Sequence, residues 1–474
     1  MSIHEECGVY GIYSTVPRDL AETVYYGLYS LQHRGQESCG IAVCDDGVIT
    51  AHRDTGLVGD VFTPDVLSQM PRGNIAAGHV RYSTTGGNER RNAQPIVVNH
   101  SKGRMAIAHN GNLSNAQKLR RELEMSGAIF HTTSDTEIIA YIITRKRLTT
   151  ASIEDAVSAA MDTIEGAYSL VIVSPTKLIA ARDPHGFRPL CYGELPDGSY
   201  VVSSESCGIT SAGGKFIRDI APGEILVFNK DGIESRTEHC QKAPKKICIF
   251  EYIYFARPDS YIDGVSVHSS RIKAGEILAE CCPADADIVI GVPDSGLDAA
   301  LGFSRRSGIP YGIGLIKNKY IGRTFISPTQ ASRADKVMIK LSPLHETVQG
   351  KRIVLVDDSI VRGTTSKRIV ALLRDAGAKE IHFRVSSPPF VEPCFYGTDI
   401  GSRDELIAVH HTEKETAAII GADSLGYLPV NRLCELIGSD RLCNACFTGD
   451  YPTETPENSI SIKDKFDMKI HTID

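Results

Sequence analysis

The residues able to do chemistry fall into three groups along the chain. The first gathers around a thiol. Cys7 stands in EECGVYGIY, and behind it come His33-Arg34-Gly35 in LQHRGQES, Arg81 in GHVRYSTTG, Asn110-Gly111 in AHNGNLS and Asp135 in TTSDTE. Amide hydrolysis at a thiol needs a nucleophile, charges that hold the substrate, and N–H donors aimed at the developing oxyanion. Each residue alone has a plainer reading: a lone cysteine is usually a small buried hydrophobe, and the rest are ordinary ion-pair or turn residues. Their joint occurrence in this order favours chemistry.

The second group is residues 353–366, IVLVDDSIVRGTTS: a buried strand, two adjacent acids, then a Gly/Thr-rich turn feeding a helix. Backbone N–H groups and hydroxyls of Arg362, Gly363, Thr364, Thr365 and Ser366 can cradle a phosphate there, and the helix dipole favours its charge. Neither GxGxxG nor GxxxxGK[ST] occurs in the segment, which excludes Rossmann and P-loop readings. Ser295 in GVPDSG ends another strand, where open α/β sheets place ligands. The third group is Cys443-x-x-Cys446 in RLCNACFTGDYP. A zinc knuckle, a redox pair and two unrelated core thiols are all open to it.

The elements that must position these residues change character near the middle of the chain. From Cys7 to about Phe228, short apolar runs separated by turn signals (GIAVC, MAIAHNG, SLVIVS, EILVF) read as strands of layered β-sheets, with helices over residues 135–146 and 152–165 covering them. The polar stretch NKDGIESRTEHCQKAPKKI after Phe228 reads as a linker. Beyond it, β-branched runs at 288–292, 353–356 and 381–385 alternate with helices over 297–306 and 365–375, the pattern of a parallel sheet covered on both faces. The stretch from Gly449 is polar and is expected to lie extended over the surface. The expected units are residues 7–235, 248–440 and a C-terminal segment 441–474.

The chain has 474 residues, enough for two cores, with a formal net charge of −7 and a pI near 6.1. That balance argues against a nucleic-acid surface, which needs clustered basic groups. The first residues lack a signal peptide's basic and apolar regions, and no apolar run is long enough to span a bilayer, so a soluble, cytoplasmic protein is expected. Thirteen cysteines in such a chain read as thiols, ligands or nucleophiles rather than bridges.

The first group resembles the N-terminal-nucleophile (class II) glutamine amidotransferases, and the likeness spans the first half. It implies an α+β fold of layered sheets, Cys7 as nucleophile, Arg81 on the glutamine α-carboxylate, Asp135 on its α-ammonium, and Asn110 with the Gly111 N–H as oxyanion hole. It also implies that residues 1–6 are a leader. A free α-amine titrates at roughly 7.7–8.0 and can serve as the base at a terminal cysteine, which an internal amide cannot. The second group resembles the type I phosphoribosyltransferase signature. Asp357 and Asp358 would hold the ribose hydroxyls and organise Mg²⁺, with Ser295 at a metal and pyrophosphate position. Residues 317–333, basic and broken by Gly and Pro, are either a surface loop or a mobile lid whose Lys319 and Arg323 contact the leaving group.

Together the motifs resemble the phosphoribosylpyrophosphate amidotransferases of the bacillus-like class. That likeness implies a 4Fe-4S cluster on Cys248, Cys394, Cys443 and Cys446, although four thiolates suit structural zinc too. It implies glutamine and phosphoribosyl pyrophosphate as substrates, purine nucleotides as inhibitors, a homo-oligomer, and ammonia passing inside the protein. A class II glutaminase with another acceptor and an inactive iron–sulfur regulator are the rival readings.

Overall fold

The computed structural model describes residues 7–82, 89–318, 341–400 and 402–456. The first half is a sandwich of two antiparallel sheets. One runs in the order Lys215–Asp219, Cys191–Glu194, Tyr200–Ser203, Gly8–Arg18, Gly73–Arg81, Ser38–Asp45, Val48–Thr55. The other runs Gly232–Arg236, Ile225–Asn229, Leu178–Arg182, Gly166–Val173, Gly103–Leu113, Ile96–His100. Strand period decides which residues meet. Val9 and Tyr13 face inward onto Ala106, Ala108 and Val171 of the opposite sheet, while Tyr10 and Ile12 turn out beneath the helix Leu20–Ser30 and pack on its Val24 and Leu28. On the far side, Met105 and Ile107 meet the helices Asp135–Arg147 and Ile153–Met161. The result is four layers: helices, sheet, sheet, helices.

The second half holds an all-parallel sheet in the order Ile288–Gly291, Arg352–Asp357, Glu380–Val385, Ser424–Tyr427. Val354 and Val356 pack towards the helices Val267–Cys281 and Leu297–Ser307. Ile353 and Leu355 pack towards Thr364–Asp375. Both faces are therefore buried, at roughly 1.5–3 kcal/mol per large aliphatic side chain, and the strands read as unbroken apolar runs.

Two segments differ from their sequence expectations. The stretch taken as a linker begins with a hairpin: Gly232–Arg236 pairs with Ile225–Asn229 as the edge of the second sheet, and the Asp231 N–H closes the turn on Asn229 Oδ1 at 2.8 Å. The connection is thus shorter than expected, and it is pinned by Arg236 on Asp155 (2.7 Å) and by the Ser158–His239 hydrogen bond (2.9 Å). The described part of the polar stretch after Gly449, up to residue 456, is also anchored. Tyr451 Oη donates to Pro393 O at 2.6 Å, and the Thr453 hydroxyl meets Ser114 Oγ of the first unit at 3.3 Å. Aromatic rings can pack while their polar tips find partners, which a composition argument overlooks.

Candidate functional site

Cys7 enters the first sheet one residue before Gly8, which pairs with Val80, so the register sets it across from Arg81. Both are buried. Cys7 Sγ donates to Tyr82 O at 3.3 Å, and Arg34 Nε donates to Cys7 O at 3.0 Å. His79 lies two residues before Arg81 on the same face of its strand. Its Nε2 hydrogen-bonds His109 O at 2.9 Å, tying that strand to the one carrying Asn110. Burial pushes the His79 imidazole down to about 3, so it is neutral.

Asn110 is fully buried, and neither polar atom of its side-chain amide has a hydrogen-bond partner among the described residues. An amide closed off without partners costs about 1–3 kcal/mol, a cost that makes sense where a substrate oxygen is to be received. At Gly111 φ is +135°, and a Cβ would lie 2.2 Å from Ala167 O, so the chain can turn there only as glycine. Asp135 opens its helix. Its carboxylate accepts from Leu113 N at 3.0 Å and lies 3.5 Å from His109 Nδ1. Burial alone would raise its pKa, but His109, the Leu113 N–H and Arg81 together hold it below the usual carboxylate range. Asp135 is therefore an anion within the field of Arg81, with lone pairs left to take an ammonium.

Sequence reasoning grouped Arg34 with Cys7 but missed its partners Glu205, Glu251 and Arg188. All four are wholly buried; Arg34 meets Glu205 at 2.6 Å and Glu251 at 2.7 Å, and Arg188 meets Glu251 at 3.3 Å. Arg188 also donates to Tyr396 O at 2.8 Å. The available signal was Glu251, the one charge in the apolar run ICIFEYIYF.

In the second half, Asp357 ends its strand and Asp358 follows, both buried. Ser295 Oγ donates to Asp358 Oδ1 at 2.5 Å, and Ser359 Oγ to Asp358 Oδ2. The approach depends on Gly296, where a Cβ would lie 2.3 Å from Val356 O. Burial raises both carboxyls above their usual range, and at Asp357 the charge of Asp358 adds to it. Such a pair fits a cation, which would remove the repulsion. Gly363 caps the helix Thr364–Asp375 without a side-chain acceptor, so Thr364, Thr365 and Ser366 offer the first-turn N–H groups of an anion site. Arg362 beside them pairs with Glu405. Lys319 and Arg323 lie outside the described residues, as do residues 1–6.

Cys248 and Cys443 are partners in a short parallel ladder, Ile247–Cys248 with Leu442–Cys443. They line one cavity with Cys394, Cys446, Phe187, Tyr396 and Tyr451. Burial pushes the Cys443 thiol up to about 12; Cys446 is raised too, through burial and then the neighbouring Cys394, Cys248 and Cys443. Among the described residues no three His, Cys, Asp or Glu side chains are grouped to hold a metal ion. Four soft donors around a mainly apolar cavity, with no carboxylate or imidazole in its lining, fit a sulfur-ligated group.

Known proteins match both halves. Residues 79–211 match the glutamine amidotransferase domain and residues 269–387 the phosphoribosyl transferase domain. The amidophosphoribosyltransferase of Methanocaldococcus jannaschii is 50% identical over 94% of this chain and 98% of its own, and that of Bacillus subtilis is 47% identical over 97% and 96%. The solved structure of the B. subtilis glutamine phosphoribosylpyrophosphate amidotransferase complexed with ADP and GMP superposes with a TM-score of 0.89 at 46% identity, over 96% of this chain and 99% of that one. A glutaminase half built around a strand-end cysteine, a phosphoribosyl half built around paired acids, and relatives alike over nearly the full length lead to one conclusion: the chain belongs to the amidophosphoribosyltransferase family.

Proposed function

We propose that this pentosyltransferase of purine biosynthesis runs its two half-reactions at Cys7 and at Asp357–Asp358, in units spanning residues 7–235 and 248–440, with residues 441–474 as a C-terminal segment. The observation that carries the assignment is the buried, unpartnered amide of Asn110 on a strand tied to the one facing Cys7.

Arg81 and Asp135 grip the α-carboxylate and α-ammonium of glutamine, an arrangement supported by their opposite charges and mutual field. Cys7 Sγ attacks the side-chain carbonyl, whose oxygen takes the Asn110 amide and the Gly111 N–H. Ammonia leaves, and water then releases glutamate from the thioester. The base is the α-amine exposed when residues 1–6 are removed. Ammonia passes inside the protein and attacks the ribose C1 of phosphoribosyl pyrophosphate, displacing pyrophosphate and giving phosphoribosylamine.

Asp357 and Asp358 orient the ribose hydroxyls, residues 362–366 hold the 5′-phosphate, and Lys319 and Arg323 contact the pyrophosphate. Asp357, Asp358 and Ser295 would hold Mg²⁺, which when bound neutralises pyrophosphate charge. Cys248, Cys394, Cys443 and Cys446 would hold a 4Fe-4S cluster, which when bound is structural or oxygen-sensing, since the reaction moves no electrons. Purine nucleotides as inhibitors, a homo-oligomeric state and a cytoplasmic location complete the reading. The nucleotides are supported by the relative solved with ADP and GMP.

Cys7→Ala separates the half-sites. Glutamine-dependent synthesis is expected to vanish while ammonia-dependent synthesis survives, and equal loss of both would refute independent sites. Iron and sulfide analysis of anaerobically purified protein decides between a cluster and zinc.

A further inference from the structure

We infer that Glu251, a carboxylate of the phosphoribosyl half, is a positioning residue for the glutaminase: it holds Arg34, and through Arg34 the backbone carbonyl of Cys7. The inference rests on Cys7 being the nucleophile. Arg34 has no solvent exposure, and each of its three donor nitrogens is engaged. Nε donates to Cys7 O at 3.0 Å; NH1 donates to Glu205 Oε1 at 2.6 Å and Glu251 Oε2 at 3.0 Å; NH2 donates to Glu251 Oε1 at 2.7 Å. Two parallel N–H···O contacts to one carboxylate set the plane of a guanidinium, and with it the direction of Nε. Glu205 alone, engaged through NH1, leaves that plane free to tilt.

The carboxylates cross the boundary between the halves in both directions. Glu251 reaches from the second half to Arg34. Glu205 belongs to the first, and its Oε2 accepts from Arg257 N at 2.9 Å and Ser260 Oγ at 2.6 Å, both in the second. Two buried guanidiniums, Arg34 and Arg188, face two buried carboxylates, and the partly exposed His33 meets Glu205 at 2.8 Å. Buried ion pairs of this kind rarely out-stabilise apolar packing, so stability alone does not account for them. Their geometry accounts for them better: the chain of contacts ends on the carbonyl of the attacking residue. With residues 1–6 removed, the one covalent link of Cys7 to the backbone is its bond to Gly8, and a strand end frays unless its last peptide plane is held. Arg34 holds that plane, and Glu251 holds Arg34.

The test is Glu251→Gln in the full-length protein, read against Glu251→Asp and against Cys7→Ala. Glutamine-dependent kcat should fall at least ~10-fold, since a misplacement near 1 Å at a reacting group can cost ~100-fold. The KM for glutamine should stay within about 3-fold, because Arg81 and Asp135 are untouched, and ammonia-dependent synthesis within about 2-fold. The rate of Cys7 alkylation by iodoacetamide should fall alongside kcat, and Glu251→Asp, which keeps the charge, should recover part of both. Unchanged glutamine kcat in Glu251→Gln overturns the inference, as does a parallel fall in both activities. If Glu251→Gln does not fold, Glu251→Asp decides: loss confined to glutamine-dependent kcat supports the role, and equal loss in both assays ends it. Glutamine-dependent synthesis surviving in Cys7→Ala would instead remove the nucleophile assignment beneath it.

Discussion

The two candidate active sites solve opposite electrostatic problems. In the glutaminase half, the acid meant for substrate is already compensated: Asp135 sits among His109, the Leu113 N–H and the field of Arg81, and its charge is secure below the usual carboxylate range. In the phosphoribosyl half, Asp358 faces the Ser295 and Ser359 hydroxyls and Asp357 lies against Asp358, and burial raises both carboxyls above that range. One site is complete in protein atoms. The other has an electrostatic deficit that a cation and its polyanionic substrate would fill.

That contrast can be broken in order of expected effect. Asp358→Asn should abolish glutamine-dependent and ammonia-dependent synthesis together, since it removes one of the two carboxylates that would hold the ribose hydroxyls and the cation; a variant that retained either activity would show the acids to be structural. Asn110→Ala should lower glutamine-dependent kcat by about 10²–10³-fold, the usual cost of one oxyanion donor, while ammonia-dependent rates hold. A change confined to KM would move Asn110 from the oxyanion to substrate binding. The smallest effect is a stability linkage. Because the folded-state pKa values of Asp357 and Asp358 are raised, their protons stabilise the metal-free fold at low pH, and that contribution is lost as pH rises through the folded values. The Tm increase from Mg²⁺ with phosphoribosyl pyrophosphate should therefore be larger on the alkaline side of that window than on the acid side, by about 2 °C. Asp357→Asn should flatten the trend.

Legibility in the sequence followed the same division. The phosphoribosyl motif lies within one strand–turn–helix, so a single window of sequence contains nearly all of it, and the parallel sheet could be read from its doubly apolar strands. The glutaminase site is assembled from strands far apart in the chain. Its members were recognisable by kind and order, but the contacts that hold them were not. Glu251 illustrates why: its importance lies in facing Arg34 across 217 residues of chain, and no local pattern encodes that separation. The hairpin at Gly232–Arg236 was misread for a different reason. Its strand is mostly exposed and polar, so hydrophobic alternation, the main strand signal, is absent.

The cysteine-lined cavity has a consequence in time. Its wall combines Phe187 with Cys446 and Tyr451, which follow it far along the nascent chain, and the Phe187–Tyr396 stack closes one side at 4.1 Å between ring centroids. No partial chain on the ribosome can enclose it. Whatever group it receives must arrive after Tyr451 has been translated and after the halves have met, which makes loading of the cavity a post-translational step of the protein's maturation.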